Sequence, residues 1–320
     1  MRDKKIGITQ DKYIKSPLNY IGGKYKLLNQ IVRYFPKNID TFYDLFAGGC
    51  DVAINIKANK IVVNDINDSL INLYRFIYET ELEKLIEQIQ KVIVEYELSD
   101  TSKNGYKYYG TDSSIGLKKI NNSSYIKLRE NFNHCTLSNI NKNVAFYVLI
   151  AFSFNNQIRF NKSGYFNTPC GKRDFNKSLK NKFINFKKEM ISKNLIFTSQ
   201  SYEFFLDNQF SKNDFLYIDP PYLISMAPYN ENNLWNEKKE IELYNNLNKI
   251  HNKNVKFALS NVLIHNGKVN RILEQWMKKY YVHYLDSNYN NSNYQKKINK
   301  KYTRTKKVDI SKFADVFCWR

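Results

Sequence analysis

The chain has 320 residues, 42% of them hydrophobic and 15% aromatic, with 50 Lys and Arg against 30 Asp and Glu for a net charge of +20. No run reaches the ~18 consecutive apolar residues of a membrane span, the N-terminus "MRDKKIGITQDKY" has no apolar signal core, and Cys50, Cys135, Cys170 and Cys318 form no C-x-x-C pair, so the expectation is a soluble, cytoplasmic protein with neither a disulfide framework nor a metal site. The charge excess suits a polyanionic partner, of which nucleic acid is the commonest, although a chain rich in Lys, Asn and Ile also reflects an AT-rich genome.

Residues 24–34 ("KYKLLNQIVRY") predict a helix closed by Pro36. "TFYDLF" (41–46) reads as a short buried strand running into the small-residue turn "AGG", and "KIVVND" (60–65) as a second strand ending in an acid. Leu82, Leu85, Ile86, Ile89 and Ile93 share one face of an amphipathic helix. Residues 99–125, rich in Ser, Asn, Gly and Tyr, show little apolar periodicity and read as a long, loop-rich insertion. "VAFYVLIAFSF" (144–154) is a buried helix. The next segment, "NNQIRFNKSGYFNTPCGK" (155–172), reads as a β-hairpin with Phe160 and Tyr165 flanking its turn and glycine at the left-handed position. From about 195 the alternation returns: "LIFTS", "FLYID", a helix from Asn236 to about Ile250, "VKFALSN", a helix around 268–279 and "YVHYLD". Alternating ends around a dissimilar middle predict one α/β domain carrying an inserted module. The lysine-rich run "KKINKKYTRTKK" (296–307) reads as a solvated basic loop near phosphate.

Open α/β sheets bind ligands where their strands end, and three strand ends here carry chemistry. After the first, Gly48 and Gly49 let the backbone approach a ligand and Asp44 supplies an acceptor; such turns are also common structural elements. At the second, Asp65 follows Asp44 at close to the ~20-residue interval that brings an acid to the ribose hydroxyls of a nucleotide. Asp65 equally suits the N-cap of a helix starting near Asn67. The third is "DPPY" (219–222). Pro220 and Pro221 donate no N–H, so the Pro220 carbonyl is rigid and can accept a hydrogen bond beside Asp219. An exocyclic amine, with two N–H donors, fits between two such acceptors. Accepting both bonds localises the nitrogen lone pair and directs it at an electrophile, while Tyr222 offers a stacking face. A plain strand-terminating turn is the alternative.

These segments, "SPLNYIGGKYKLL" (16–28), "FYDLFAGG" (42–49), "NDIN" (64–67), "FNNQIRFNKSGYFNTPCG" (154–171) and "DPPY" (219–222), resemble in this order the Dam-type DNA adenine-N6 methyltransferases of the alpha group. "FALSNV" and the later "NGK" (257–268) are similar to members that belong to restriction–modification systems. The resemblance implies a Rossmann-like S-adenosylmethionine methyltransferase sheet in two parts, 1–76 and 191–320, with a target-recognition domain inserted at 77–190. It implies that Tyr20, Lys24, Asp44, Phe46, Gly48, Gly49, Asp65 and Asp219 hold the cofactor, and that Asp219, Pro220 and Tyr222 hold the target adenine. Arg159, with Asn156, Asn161 and Lys162 around it, would read the DNA; a guanidinium suits a bidentate contact to guanine. The implied partners are double-stranded DNA and a cognate restriction endonuclease encoded nearby, for a monomer acting without metal.

Some residues depart from the family. No acid stands at Gln200–Ser201, where many members carry one near the cofactor adenine, and "TKKVDISKFADVFCWR" differs from the usual apolar final strand, which puts the last strand pairing in question. Cytosine-C5 chemistry needs a cysteine at the strand end near the cofactor, whereas Cys170 lies in the hairpin, so that reaction is rejected. Methylation of cytosine N4, of RNA or of protein glutamine, and a DNA-binding protein without catalysis, remain as alternatives.

Overall fold

The computed structural model describes residues 13–206, 209–224, 235–265 and 267–285, with the backbone alone of 313–319; the basic run 296–307 lies outside the described residues. Its contacts divide the chain into two units. One joins Met1–Tyr25 to Thr41–Phe205; the other joins Lys26–Asp40, which contains the short helix α1 (Leu28–Ile31), to Leu206–Arg320. The helix predicted over 24–34 is thus a single α-helical turn between two 3-10 turns, Tyr25–Leu27 and Val32–Tyr34. No side chain caps its N-terminus, and four residues are too few to sustain helix formation alone.

In the first unit β1 (Thr41–Asp44), β2 (Lys60–Asn64) and β3 (Leu195–Thr198) pair in parallel in the order β3-β2-β1. Parallel neighbours need crossovers. The one from β2 to β3 carries α2 (Asp68–Glu79), α3 (Leu82–Glu95), α4 (Thr101–Tyr108), α5 (Lys118–Asn133), α6 (Lys142–Phe152) and α7 (Lys177–Ile191). After β3 comes the short α8 (Tyr202–Leu206). Residues Val144 to Phe152 of α6 are buried all round, as an apolar helix with no polar face must be, and α2, α3 and α5 pack around it.

The loop-rich reading of 99–125 is corrected by α4 and α5. Asp100 caps α4 by accepting from Lys103 N at 3.1 Å. α5 buries Asn121, Tyr125, Leu128 and Phe132, about one residue per turn. The first of these is polar and donates to Ser99 Oγ at 2.9 Å, so the buried stripe is too narrow and too polar for hydrophobic periodicity to reveal.

The predicted hairpin forms with two isolated antiparallel bridges, Ser153↔Cys170 and Phe160↔Phe166, in place of continuous strands. Phe160 and Phe166 dock it onto α6 by packing against Phe146, with centroids 5.8 Å away in both cases. Gly164 has φ +77°, the left-handed conformation expected at the turn.

In the second unit β4 (Phe215–Ile218) lies parallel to β5 (Lys256–His265). On its other side β5 pairs antiparallel with β8 (Phe313–Trp319), which pairs in turn with β7 (Tyr281–Leu285), and the short β6 (Lys268–Val269) folds back on β5. The unusual C-terminal sequence therefore still supplies a final strand. α9 (Glu237–Asn252) and α10 (Arg271–Trp276) pack on β5.

Candidate functional site

The exits of the first unit's strands are tied together by one residue, Asn64. Its Nδ2 donates to the carbonyls of Leu45 and Gln200, both at 3.0 Å, and its Oδ1 accepts from Gln200 N at 2.9 Å and Thr198 Oγ1 at 3.0 Å. A buried amide with its capacity filled in this way pins the ends of β1, β2 and β3. On that base sits the glycine turn. Ala47 N donates to Asn64 O and Cys50 N to Ala47 O, at 2.8 and 2.7 Å, and the buried Tyr74 hydroxyl donates to Gly48 O at 2.7 Å.

Gly48 has φ +46°, and a Cβ there would lie 2.8 Å from the Tyr20 ring. Tyr20 thus lies directly over the turn, and glycine is required both by conformation and by space.

Asp65, buried at 8% exposure, bridges this turn to the start of α2. Oδ2 accepts from Gly48 N and Oδ1 from Asn67 N, each at 2.9 Å. Burial pushes its carboxyl up from the usual range, and the two amide N–H groups oppose that rise. Asp65 is not the cap of α2; Asn67 is, accepting from Leu70 N at 3.2 Å. Asp44 is buried and accepts from Ala53 N at 3.2 Å. Lys24 donates to Gly22 O at 2.7 Å. Phe46, half-buried, packs against Tyr202 at 5.3 Å.

Asp51 was not foreseen in the sequence. A Cβ on Gly23 would meet its Oδ2 at 2.7 Å, so Asp51 packs the "IGGK" segment against the glycine turn. Burial pushes its carboxyl up to about 6, with the Ser16 and Tyr25 amides and the cations Lys15 and Lys24 acting the other way. The only signal for it was an acid two residues beyond Gly-Gly.

In the second unit β4 runs into Asp219. Tyr222 is buried and its hydroxyl donates to Asp219 Oδ1 at 2.9 Å, while Asp219 is half-exposed and Pro220 buried. The turn is therefore braced from within. Ile218 pairs with Leu259, and the adjoining Tyr217 hydroxyl shares a 2.8 Å hydrogen bond with Ser260. The following residue, Asn261, belongs to a hub that sequence reasoning missed. Glu240 of α9 is fully buried, and its Oε1 accepts from the Tyr244 hydroxyl at 2.5 Å, Asn270 Nδ2 at 2.8 Å and Asn261 Nδ2 at 3.1 Å. Its Oε2 accepts from Trp235 Nε1 at 2.6 Å. An acid near the start of an exposed-looking helix gave no hint of this role.

On the hairpin, Arg159 is exposed and held by one edge: Nε donates to Asn167 Oδ1 at 2.8 Å and Nη2 to Asn167 O at 3.0 Å. Asn156 donates to the carbonyls of Ala151 and Ile150 at the end of α6, at 2.7 and 3.2 Å. Asn161 Oδ1 accepts from Ser163 N and Tyr165 N to shape the turn, and Lys162 is exposed beside it. Asn19, next to Tyr20, donates to Asn155 O at 2.8 Å and so links the segment that covers the glycine turn to the hairpin. Cys170 is buried, which pushes its thiol up to about 11 and makes it a poor nucleophile at neutral pH.

Comparison with known proteins follows the same residues. The profile of the D12 class N6 adenine-specific DNA methyltransferases matches residues 20–305. The chain is 40% identical over 301 residues to the type II methyltransferase M.FokI of Planomicrobium okeanokoites, covering 91% of this chain and 43% of that protein. It is 40% identical over 294 residues to the modification methylase StsI of Streptococcus sanguinis, covering 89% and 41%. To the DNA adenine methylase of Salmonella typhi it is 27% identical over 206 residues, 64% of either chain. The chain thus spans less than half the length of the first two relatives.

Proposed function

The chain belongs to the D12 class of N6 adenine-specific DNA methyltransferases, and from that membership we propose that it methylates adenine N6 in a short duplex recognition sequence, using S-adenosylmethionine, as the protective half of a restriction–modification system. The observation that carries this reading is the braced turn Asp219-Pro220-Pro221-Tyr222, in which the Tyr222 hydroxyl holds the acid at 2.9 Å. The names of the relatives, a type II methyltransferase and a modification methylase, favour the protective role. Double-stranded DNA, a cognate endonuclease encoded nearby, action as a monomer and a cytoplasmic location belong to the same proposal, as does the assignment of 77–190 to target recognition.

The residues around the glycine turn fit the cofactor. Each oxygen of a carboxylate accepts about two hydrogen bonds, and Asp65 uses one of each on a backbone amide, which leaves capacity for ribose hydroxyls. Gly48 and Gly49 keep the backbone bare beneath Tyr20, Phe46 adds an apolar wall, and Lys24 and Asp44 supply polar groups. When bound, S-adenosylmethionine supplies a methyl group made electrophilic by its sulfonium.

In the proposed mechanism Asp219 and the Pro220 carbonyl accept hydrogen bonds from the two N6–H groups of an extruded adenine, one of whose protons is released as N6 gains the methyl group and the sulfonium becomes a neutral thioether, and the Tyr222 ring stacks on the base. That arrangement localises the N6 lone pair and holds it in one direction. The gain comes from alignment and from acceptors already in place. Extrusion costs a few kcal/mol, which contacts to the DNA backbone and to the hairpin offset. Arg159 is assigned a base edge, where a bidentate contact to guanine discriminates by ~1–3 kcal/mol; Asn156, Asn161 and Lys162 support it.

The test is incubation of the protein with DNA and labelled S-adenosylmethionine, followed by sequencing of the methylated bases. Label in N6-methyladenine at one short sequence is expected, and Asp219→Ala should abolish it while DNA binding persists. Label in N4-methylcytosine, or binding with no label at all, would overturn the proposal.

A further inference from the structure

Where the hairpin closes, its second arm delivers two cations onto the helices that precede it. Gly171 N donates to Phe152 O at 2.8 Å just beyond the Ser153↔Cys170 bridge. The next residue, Lys172, accepts from Leu117 N at 3.0 Å and donates through Nζ to Ser114 O at 3.2 Å. A Cβ on Gly116 would touch Lys172 at 2.7 Å, so the fit is close. Arg173 Nη1 donates to the Tyr106 hydroxyl at 2.9 Å. These contacts bring Tyr106 and Leu117, and with them the adjoining Lys107 of α4 and Lys118 of α5, to the foot of the hairpin, and all four cations are exposed.

The acids nearby do not neutralise them. Asp174 is fully buried and accepts from Thr101 N, Thr101 Oγ1 and Ser99 Oγ. Asp100 caps α4, and Asp112 holds Ser114 and Ile115. Among the described residues none of the four cations has a carboxylate within 4.0 Å. Exposed Tyr108, at 72%, and Ile115 stand in the same segment. A converging set of unneutralised cations around apolar surface is suited to a polyanion, more than to water alone.

We propose that Lys107, Lys118, Lys172 and Arg173 form a second DNA-contact surface, which grips the sugar–phosphate backbone flanking the recognition sequence. The proposal rests on the reading of the chain as a DNA methyltransferase. Its reach follows from the hairpin. Arg159 lies opposite Asn167, whose N donates to Arg159 O at 3.0 Å. From Asn167 to Lys172 an extended chain spans at most ~17 Å at ~3.3 Å per residue, which is about five base pairs at ~3.4 Å each. A duplex seated with Arg159 on a base edge therefore presents flanking phosphates within reach of this surface.

The experiment compares the full chain with the triple variant Lys118→Gln/Lys172→Gln/Arg173→Gln, and with Lys57→Gln/Lys84→Gln/Lys91→Gln, which removes the same charge from exposed positions elsewhere in the first unit. Binding to a labelled 30-base-pair duplex of random sequence is titrated between 50 and 200 mM KCl. If three phosphate contacts are lost, the slope of log affinity against log salt should fall by roughly 2 to 3, at ~0.9 per contact, with affinity down about tenfold or more, and the control triple should change it far less. On duplexes carrying the methylated site with two or eight flanking base pairs, the wild type should favour the longer one and the foot variant should not. Equal losses from both triples, or an unchanged slope and flank preference, would overturn the surface. A wild-type protein that binds no DNA would instead overturn the DNA reading on which it rests.

Discussion

Replacing Asp65 by alanine separates its bridging role in the fold from the ribose contact proposed for it. In this chain both carboxylate oxygens are engaged by backbone amides, Gly48 N and Asn67 N, each at 2.9 Å. Asp65→Ala leaves two nearly buried N–H groups without acceptors, at roughly 1–3 kcal/mol each. Against this stands the relief of burying a carboxylate, whose unfavourable burial is visible in the upward direction of its pKa. The net loss should be on the order of 1–4 kcal/mol. For a unit of this size a kcal/mol moves the melting temperature by roughly 2–4 °C, so the ligand-free variant should melt about 2–16 °C lower. Scanning fluorimetry of the ligand-free protein reads the stability, and titration calorimetry with S-adenosylmethionine reads the affinity. If ligand-free Asp65→Ala melts within a degree of the wild type while cofactor affinity collapses, Asp65 serves only the ligand and the bridging role is wrong.

Asp51 makes stability depend on pH with a definite sign. Burial pushes its folded carboxyl up to about 6 from the ordinary 3.8, so its contribution is fully present below about 4 and is lost as pH rises through about 6, by up to ~3 kcal/mol at ~1.36 kcal/mol for each tenfold step in acidity. The melting temperature of Asp51→Asn relative to wild type should therefore rise by several degrees between pH 4.5 and pH 7; a flat difference refutes the assignment. Glu240→Gln turns an acceptor of four hydrogen bonds into a group that sets a donor against a donor. It should cost about 2–4 kcal/mol, seen as a lower denaturation midpoint with altered Trp235 fluorescence; unchanged values mean the hub carries no load. Arg159→Ala should relax the choice of base at one position of the methylated sequence while methylation continues. An identical methylated sequence from the variant means that Arg159 reads no base.

How far these features were visible in the amino-acid order depends on how local their physics is. β4 and α6 are apolar runs that are buried nearly throughout, and β1, β2 and β3 are short apolar runs that are mostly buried, so a reader sees them directly. The left-handed Gly164 and the Gly-Gly turn are likewise local constraints. The misses share another cause. α5 hides because Asn121 fills a core position by bonding to Ser99, 22 residues away. Asn64 serves a carbonyl at Gln200, 136 residues on, and Glu240 gathers partners up to 30 residues away. A polar side chain whose partners come from distant elements has no period and no neighbour to betray it. Such residues are legible only once the strands that carry them are placed.

Three of the buried acids also let a chain of net charge +20 keep most of its cations for the surface, with Lys24 and Lys187 the buried exceptions and Asp51 the acid that faces cations. Among the described residues Asp65, Asp174 and Glu240 are all held by neutral donors: amides, hydroxyls and one indole. A buried ion pair would require a lysine or arginine to be desolvated along with the acid, a penalty that often exceeds the attraction gained. Neutral donors avoid that second desolvation and are fixed by the fold before any ligand arrives. They are also only weakly sensitive to salt, whereas contacts from exposed lysines to phosphate fall steeply with it. The two kinds of polar chemistry are thereby separated. Acids in the interior hold loops and strand ends in shape with little dependence on salt, and the exposed cations are left for the proposed contacts to nucleic acid.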